Sequence, residues 1–226
     1  MIIATPFFGT NQRYAEMLSD WKKQAESIAP DLRIITLTTE EYPIDEYADL
    51  IRLNQPFDTK GAIMCAAALA IQEPFLMLDS DAFLMRDPRA ALSREECMAI
   101  PCAMPCDHGS IIHNHGNFLL PPYESVRKTC AGVFLFGNPA SRPALVAAYR
   151  TAYHELKAAN FPWMARARLT HLLEQYSWSL ASHRMGGGIL QASFNWNPDF
   201  LGENPYCYIK HLYGWRKHNG NAPANV

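Results

Sequence analysis

Four apolar residues, Phe75-Leu76-Met77-Leu78, run without a break into Asp79-Ser80-Asp81. So short an apolar run, without polar alternation, reads as a strand covered on both faces, which belongs in a sheet with helices packed on each side. The acidic pair then falls at the carboxyl end of the strand, where open α/β sheets bind their ligands. The surrounding chain fits this frame. Met1 to Ala4 is a short apolar run closed by Thr5-Pro6, and Tyr14, Met17, Leu18 and Trp21 follow with the spacing of one helix face. Residues 31 to 37 carry Leu32, Ile34, Ile35 and Leu37 and predict a second strand. An Ala-rich helix is predicted from Thr59 or Lys60 to about Gln72, feeding the central run through Glu73-Pro74. A further strand is predicted over Ala131-Gly132-Val133-Phe134-Leu135-Phe136. Two helices should follow it, Ser141 to Ala159 with Ser141 as its cap, and roughly Arg166 to Ala181. Residues 97 to 118 read as irregular, and Gly186-Gly187-Gly188 breaks the pattern before Ile189 to Phe194. The expectation is an α/β fold with a mainly parallel sheet flanked by helices. It forms one domain over residues 1–219, with a disordered tail at 220–226.

With 226 residues, 49% of them hydrophobic, the chain is long enough for a substantial core. Lys and Arg number 20 against 22 Asp and Glu, so no positive field exists to gather a polyanion, and nucleic acid is excluded as the main partner. Neither a signal-peptide pattern nor an apolar run of about 20 residues is found, so the expected location is the cytoplasm, or the periphery of a membrane. Six dispersed cysteines do not form the framework of a small secreted domain.

In an extended segment, residues two apart face the same side, so Asp79 and Asp81 are expected to converge on one cation. Carboxylate oxygens suit Mg²⁺ or Mn²⁺, which bridge to the oxygens of a diphosphate. His211, reaching the two aspartates, would complete a mixed oxygen and nitrogen site of the kind Mn²⁺ accepts. Arg216 and Lys217 supply positive charge near the chain's end, where a departing diphosphate needs it.

Leu78-Asp79-Ser80-Asp81, followed by Phe83-Leu84-Met85-Arg86-Asp87-Pro88, resembles the Asp-x-Asp region of GT-A glycosyltransferases. Other segments match the glycogenin and lipopolysaccharide galactosyltransferase family in the right order. Asn11-Gln12-Arg13-Tyr14-Ala15 resembles its first nucleotide-binding loop, and Cys130-Ala131-Gly132-Val133 its Asn-Ala-Gly-Val strand near the donor sugar. Glu174-Gln175 resembles its Asp-Gln pair, and His211-Leu212-Tyr213-Gly214-Trp215-Arg216-Lys217 its closing His-x-x-Gly-x-x-Lys element. The departures are Cys130 for Asn, Ser179 where an Asn often stands, and His218-Asn219 for Pro-Trp.

The resemblance implies a metal-dependent transfer from a nucleotide sugar, with UDP the nucleotide, to a carbohydrate or other hydroxyl acceptor. Asp79, Asp81 and His211 are then the ligands of Mn²⁺ or Mg²⁺. Thr5, Tyr14, Lys60, Ser80, Gly132, Gly214 and Lys217 bind the donor, with Tyr14 against the base and Lys217 and Lys60 on the diphosphate. Tyr14 equally fits plain core packing. Glu174 and Gln175 are catalytic candidates, Glu174 as nucleophile or as stabiliser of positive charge at the anomeric carbon. An inverting reaction needs a general base instead, for which Asp107 or Glu203 are candidates.

A competing constellation is Cys97, Cys102, Cys106, His108, His113 and His115, all residue types that bind zinc, though without tight Cys-x-x-Cys pairs. Trp163, Trp178, Trp196 and Trp215 offer flat apolar surfaces for sugar rings. The functional rivals are a sugar nucleotidyltransferase, against which stands the lack of a Gly-rich loop after the first strand, and a non-catalytic carbohydrate- or zinc-binding module.

Overall fold

The computed structural model describes residues 1–6, 12–38, 50–52, 60–79, 81–106, 123, 126, 129–159 and 170–211. For 12–17, 50–52, 170–172 and 199–200 only the backbone is described. The seven strands of the main sheet are β1 (Ile2–Pro6), β2 (Arg33–Thr38), β3 (Leu50–Arg52), β4 (Phe75–Leu78), β6 (Cys102–Pro105), β7 (Val133–Phe136) and β8 (Gly188–Leu190). Their order is β3-β2-β1-β4-β7-β6-β8. β3, β2, β1 and β4 pair in parallel, as do β6 and β8, while β7 is antiparallel to both of its neighbours. The sheet is thus mainly parallel, as expected, with one reversed strand. A two-stranded sheet pairs β5 (Ala82–Leu84) with β9 (Ile209–His211) in antiparallel register.

Strand residues alternate between two cores. Phe75 and Met77 of β4 lie in one core with Phe134 and Phe136, beneath α2 (Lys60–Ala70), α4 (Arg142–Ala159) and α5 (Thr170–Arg184). Leu76 and Leu78 lie in the other with Val133 and Leu135, against α1 (Gln12–Ile28) and α3 (Arg94–Ala99). All four residues of β4 are buried, each side chain contributing about 1.5–3 kcal/mol. The first core closes on aromatics, with Trp178 stacked on Tyr149 at 4.1 Å and edge-on to Phe134 at 5.0 Å. A last short helix, α6 (Pro198–Leu201), precedes β9.

Three local readings are corrected. The stretch expected to be irregular contains the end of α3 and the whole of β6; Ser93 opens α3 with a capping box closed by Glu96. The residue that caps before α4 is not Ser141 but Asn138, whose side chain accepts from the Ala140 amide at the start of a 3₁₀ turn, Pro139–Ser141. Pro139 explains this, because a proline at the first helical position moves the cap to the residue before it. The helix expected from 166 is described from Thr170 and runs on to Arg184.

Register places the functional segments. Leu78 pairs with Val133 in opposite directions, so the next residue of one chain, Asp79, meets the preceding residue of the other, Gly132. The Asp79 amide donates to the Gly132 carbonyl at 2.8 Å. In the small sheet Ala82 pairs with His211, which brings residue 211 beside the acidic pair from 129 positions away.

Candidate metal and donor site

The two aspartates converge, but not through the strand pleat. The Ala82 amide donates to the Asp79 carbonyl at 2.9 Å, the bond of a turn and not of an extended strand. The pleat argument fails because the chain must leave the main sheet here for β5 to pair with β9. Trp21 of α1 pins the turn, its indole N–H donating to the Ala82 carbonyl at 2.8 Å. Ligand oxygens of Asp79 and Asp81 and a ring nitrogen of His211 all lie within 4.8 Å of one another. Among the described residues this is the one such group of His, Cys, Asp and Glu.

His211 is 3% exposed and held from both sides. Its Nε2 lies 3.4 Å from Asp81 Oδ1. Its Nδ1 lies 2.8 Å from Asn195 Oδ1 and 3.7 Å from Cys130 Sγ. Burial opposes a charged ring, but Cys130 and Asp81 outweigh it and push His211 up to about 10. The folded value lies above the ordinary 6.5, so the charged ring stabilises the protein fully below pH 6.5, and that contribution is lost as pH rises through about 10.

Lys60, at the first turn of α2, places Nζ 2.7 Å from each oxygen of Asp79. Burial disfavours its charge, yet Asp79 prevails and its pKa is raised. Beside it the Gly61 amide donates to Glu174 Oε2 at 3.1 Å, so a carboxylate from α5 caps the first turn of α2. Gln175, half-buried, follows Glu174 on α5. The Ser179 hydroxyl lies 2.7 Å from that of Thr129 and ties α5 to the approach to β7. Thr5, at the end of β1, is fully buried, and its hydroxyl has no partner among the described residues. A β-carbon on Gly132 would lie 2.2 Å from His211 Cε1 and 3.0 Å from Asp79 Oδ2, so the chain can pass these two residues only without a side chain.

These residues fit a divalent cation. Two carboxylates and one imidazole are a hard-to-borderline donor set, and Nε2 is the ring nitrogen on the Asp81 side. Ser80, Asp107, Gly214, Arg216 and Lys217 lie outside the described residues, as do His108, His113, His115, Trp163, Trp215 and the tail; Tyr14 is described in backbone only, within α1. Cys97 and Cys102 lie in the two cores on opposite faces of the sheet, so they do not share one ion. Trp178 is core. Trp196 is half-buried, its indole donating to the Gly202 carbonyl at 2.7 Å. Glu203 is exposed, 3.3 Å from Lys210. Asn195, missed in the sequence, had no signal beyond its position after an apolar run.

No family model matches the sequence, and no curated protein matches it. Solved structures do. The galactosyltransferase LgtC, in complex with donor and acceptor sugar analogs, superposes with a TM-score of 0.61 at 14% identity, over 95% of this chain and 87% of that one. The chain has the GT-A glycosyltransferase fold. An active-site mutant of LgtC with glutamine replaced by glutamate also shares it, with a TM-score of 0.62 at 13% identity over 95% of this chain and 88% of that one. Mouse xyloside xylosyltransferase 1 presents the GT-A fold at a TM-score of 0.53 and 12% identity, over 94% of this chain and 97% of that one. Among the described residues, no helix of this GT-A chain is long and apolar enough to cross a membrane.

Proposed function

We propose that the protein is a metal-dependent glycosyltransferase. It moves a sugar from a nucleoside diphosphate sugar, UDP-sugar foremost, to a hydroxyl of a carbohydrate or other acceptor, within one domain over 1–219. The observation that carries this reading is the meeting of Asp79, Asp81 and His211 within 4.8 Å at the carboxyl end of β4. Those three residues would hold Mn²⁺ or Mg²⁺, and the cation supplies positive charge against the donor's diphosphate and the departing nucleoside diphosphate.

The chain's own residues do the rest. Lys60, already 2.7 Å from both oxygens of Asp79, is the ammonium within reach of a phosphate that a cation would hold beside that carboxylate. Lys217 holds the diphosphate together with Lys60. Thr5, Tyr14, Ser80 and Gly214 bind the nucleotide, and Gly132 leaves room for the sugar. Glu174 caps α2 and so fixes Lys60, and it acts as nucleophile or as stabiliser of positive charge at the anomeric carbon. Gln175, beside it, faces the sugar; the LgtC active-site mutant at a glutamine supports that role. As the acceptor oxygen bonds to the anomeric carbon, the bond from that carbon to the phosphate oxygen breaks and its electron pair leaves with the diphosphate. The acceptor's proton passes to a base, for which Asp107 or Glu203 is the candidate if the reaction inverts configuration. The expected location is the cytoplasm or a membrane periphery.

Calorimetric titration with UDP, GDP, CDP and ADP, each with Mn²⁺ and with EDTA, tests the reading. The expected result is binding of UDP that disappears on chelation, with slow hydrolysis of a matching UDP-sugar. Binding of no nucleotide would overturn it, and metal-dependent binding without any turnover of donor would select the non-catalytic module.

The pH dependence is a second check. With His211 pushed up to about 10, a cation must displace the Nε2 proton at neutral pH. Mn²⁺ affinity is therefore expected to rise about tenfold per unit between about pH 6.5 and 8.5, with one proton released per ion. A flat profile would mean either that His211 is not a ligand or that its ring is already neutral at about pH 6.5.

A further inference from the structure

Asn195 is completely buried and stands between two groups that dictate its chemistry. Its Nδ2 donates to the Cys106 carbonyl at 3.0 Å, and its Oδ1 lies 2.8 Å from His211 Nδ1. A carbonyl only accepts, so the atom facing Cys106 must be the NH₂, and the atom facing His211 must be the carbonyl oxygen. That oxygen in turn only accepts, so Nδ1 must carry a proton. A neutral His211 is then bare at Nε2, the nitrogen on the Asp81 side. Cys130 Sγ, 3.7 Å from Nδ1, is the more distant of the two neighbours, so the Asn195 oxygen is the nearer acceptor for that proton.

The backbone makes this arrangement rigid. Residues 193–196 run alongside 208–211: the Tyr208 amide donates to the Ser193 carbonyl at 2.8 Å, the Trp196 amide to Ile209 at 3.0 Å and the His211 amide to Trp196 at 2.8 Å. Phe194 stacks on Tyr208 at 4.9 Å within the second core. The carboxamide and the imidazole are thus carried on two backbones locked to each other on either side of the hydrogen bond.

We propose that Asn195 is the positioning residue of the metal site: through the Cys106 carbonyl on one side and Nδ1–H on the other, it sets the tautomer and ring plane in which His211 presents Nε2. Partners of this kind orient metal-binding histidines and typically govern 10–100-fold in affinity. The proposal rests on the reading of Asp79, Asp81 and His211 as metal ligands.

The test titrates the protein with Mn²⁺ alone, following the free ion by electron paramagnetic resonance, in wild type, Asn195→Leu, Asn195→Asp, His211→Ala and the Asn195→Leu/His211→Ala double variant. Asn195→Leu is expected to weaken Mn²⁺ binding about 10- to 100-fold. Asn195→Asp, which still accepts from Nδ1–H but sets a second acceptor against the Cys106 carbonyl, should weaken binding less than Asn195→Leu does. The Leu substitution should cost nothing further once His211 is alanine, which a merely structural role would not produce. If His211→Ala weakens binding but Asn195→Leu does not, or if its loss persists without His211, the positioning role is overturned and the metal site stands. If His211→Ala leaves Mn²⁺ affinity unchanged, the underlying reading falls and this proposal with it. Should Asn195→Leu fail to fold, nitrogen NMR of wild type with Mg²⁺ decides: protonated Nδ1 with bare Nε2 supports the proposal, and the opposite tautomer refutes it.

Discussion

Gly132→Ala is expected to abolish useful metal binding, lowering Mn²⁺ affinity and sugar transfer by more than about a hundredfold while leaving the protein folded. The added β-carbon would sit 2.2 Å from His211 Cε1 and 3.0 Å from both His211 Nε2 and Asp79 Oδ2. Residue 132 cannot retreat, because its carbonyl holds the Asp79 amide at 2.8 Å and the next residue is already in register with Leu78. The side chain that yields is therefore His211, displaced from Asn195 and Asp81 together. Overpacking of this kind costs about 1–3 kcal/mol, less than a typical domain's margin. Mn²⁺ titration beside a thermal melt separates the two effects. In a His211→Ala background, where the main clash is gone, Gly132→Ala should cost little further stability, and the metal is not regained. Wild-type Mn²⁺ affinity in Gly132→Ala would sink the argument. The glycine is there for space and not for an unusual backbone: among the described residues, positive φ occurs at Gly186 and Gly202.

What the sequence disclosed followed from how many residues carried each signal. The central apolar run and its acidic end were legible because four consecutive buried residues have few alternatives, and because a strand end in an α/β sheet is where ligands gather. β5 and β9 were not legible: each spans three residues, too few for any period. Their pairing nevertheless carries His211 to the aspartates, so His211 was found through a family resemblance and not through its local pattern. The reversal of β7 was equally hidden, since an apolar run has the same composition in either direction. The irregular reading of 97–118 failed at Cys102–Pro105, where cysteine and proline disguise a fully buried strand. Asn195 gave no signal because its partners, Cys106 and His211, lie 89 and 16 residues away.

Arg142 was read simply as part of a helix, yet its replacement by methionine is expected to cost about 3–5 kcal/mol of stability and to lower Tm on the order of 10 °C. Its side chain is 1% exposed, and its guanidinium donates to the carbonyls of Ile71, Glu73 (2.6 Å), Gly137 (2.8 Å) and Phe136 (3.4 Å). It also lies over the Phe75 ring at 5.0 Å. Burial pulls it down to about 10, so it stays charged at neutral pH. One side chain thereby ties the end of α2, the start of β4 and the end of β7, where Phe75 pairs with Phe136. Methionine fills the volume but leaves these buried carbonyls without their charged donor, each at about 1–3 kcal/mol before relaxation or water entry reduces the sum. Arg142→Lys should recover less than half the loss, because an ammonium cannot fork toward acceptors on two sides. Mn²⁺ affinity of the folded fraction should be unchanged, since Phe75 begins the strand whose other end carries Asp79. A melt of Arg142→Met within about 1 kcal/mol of wild type would show that water or the neighbouring backbone satisfies those carbonyls, and that the sheet's amino end holds without the arginine.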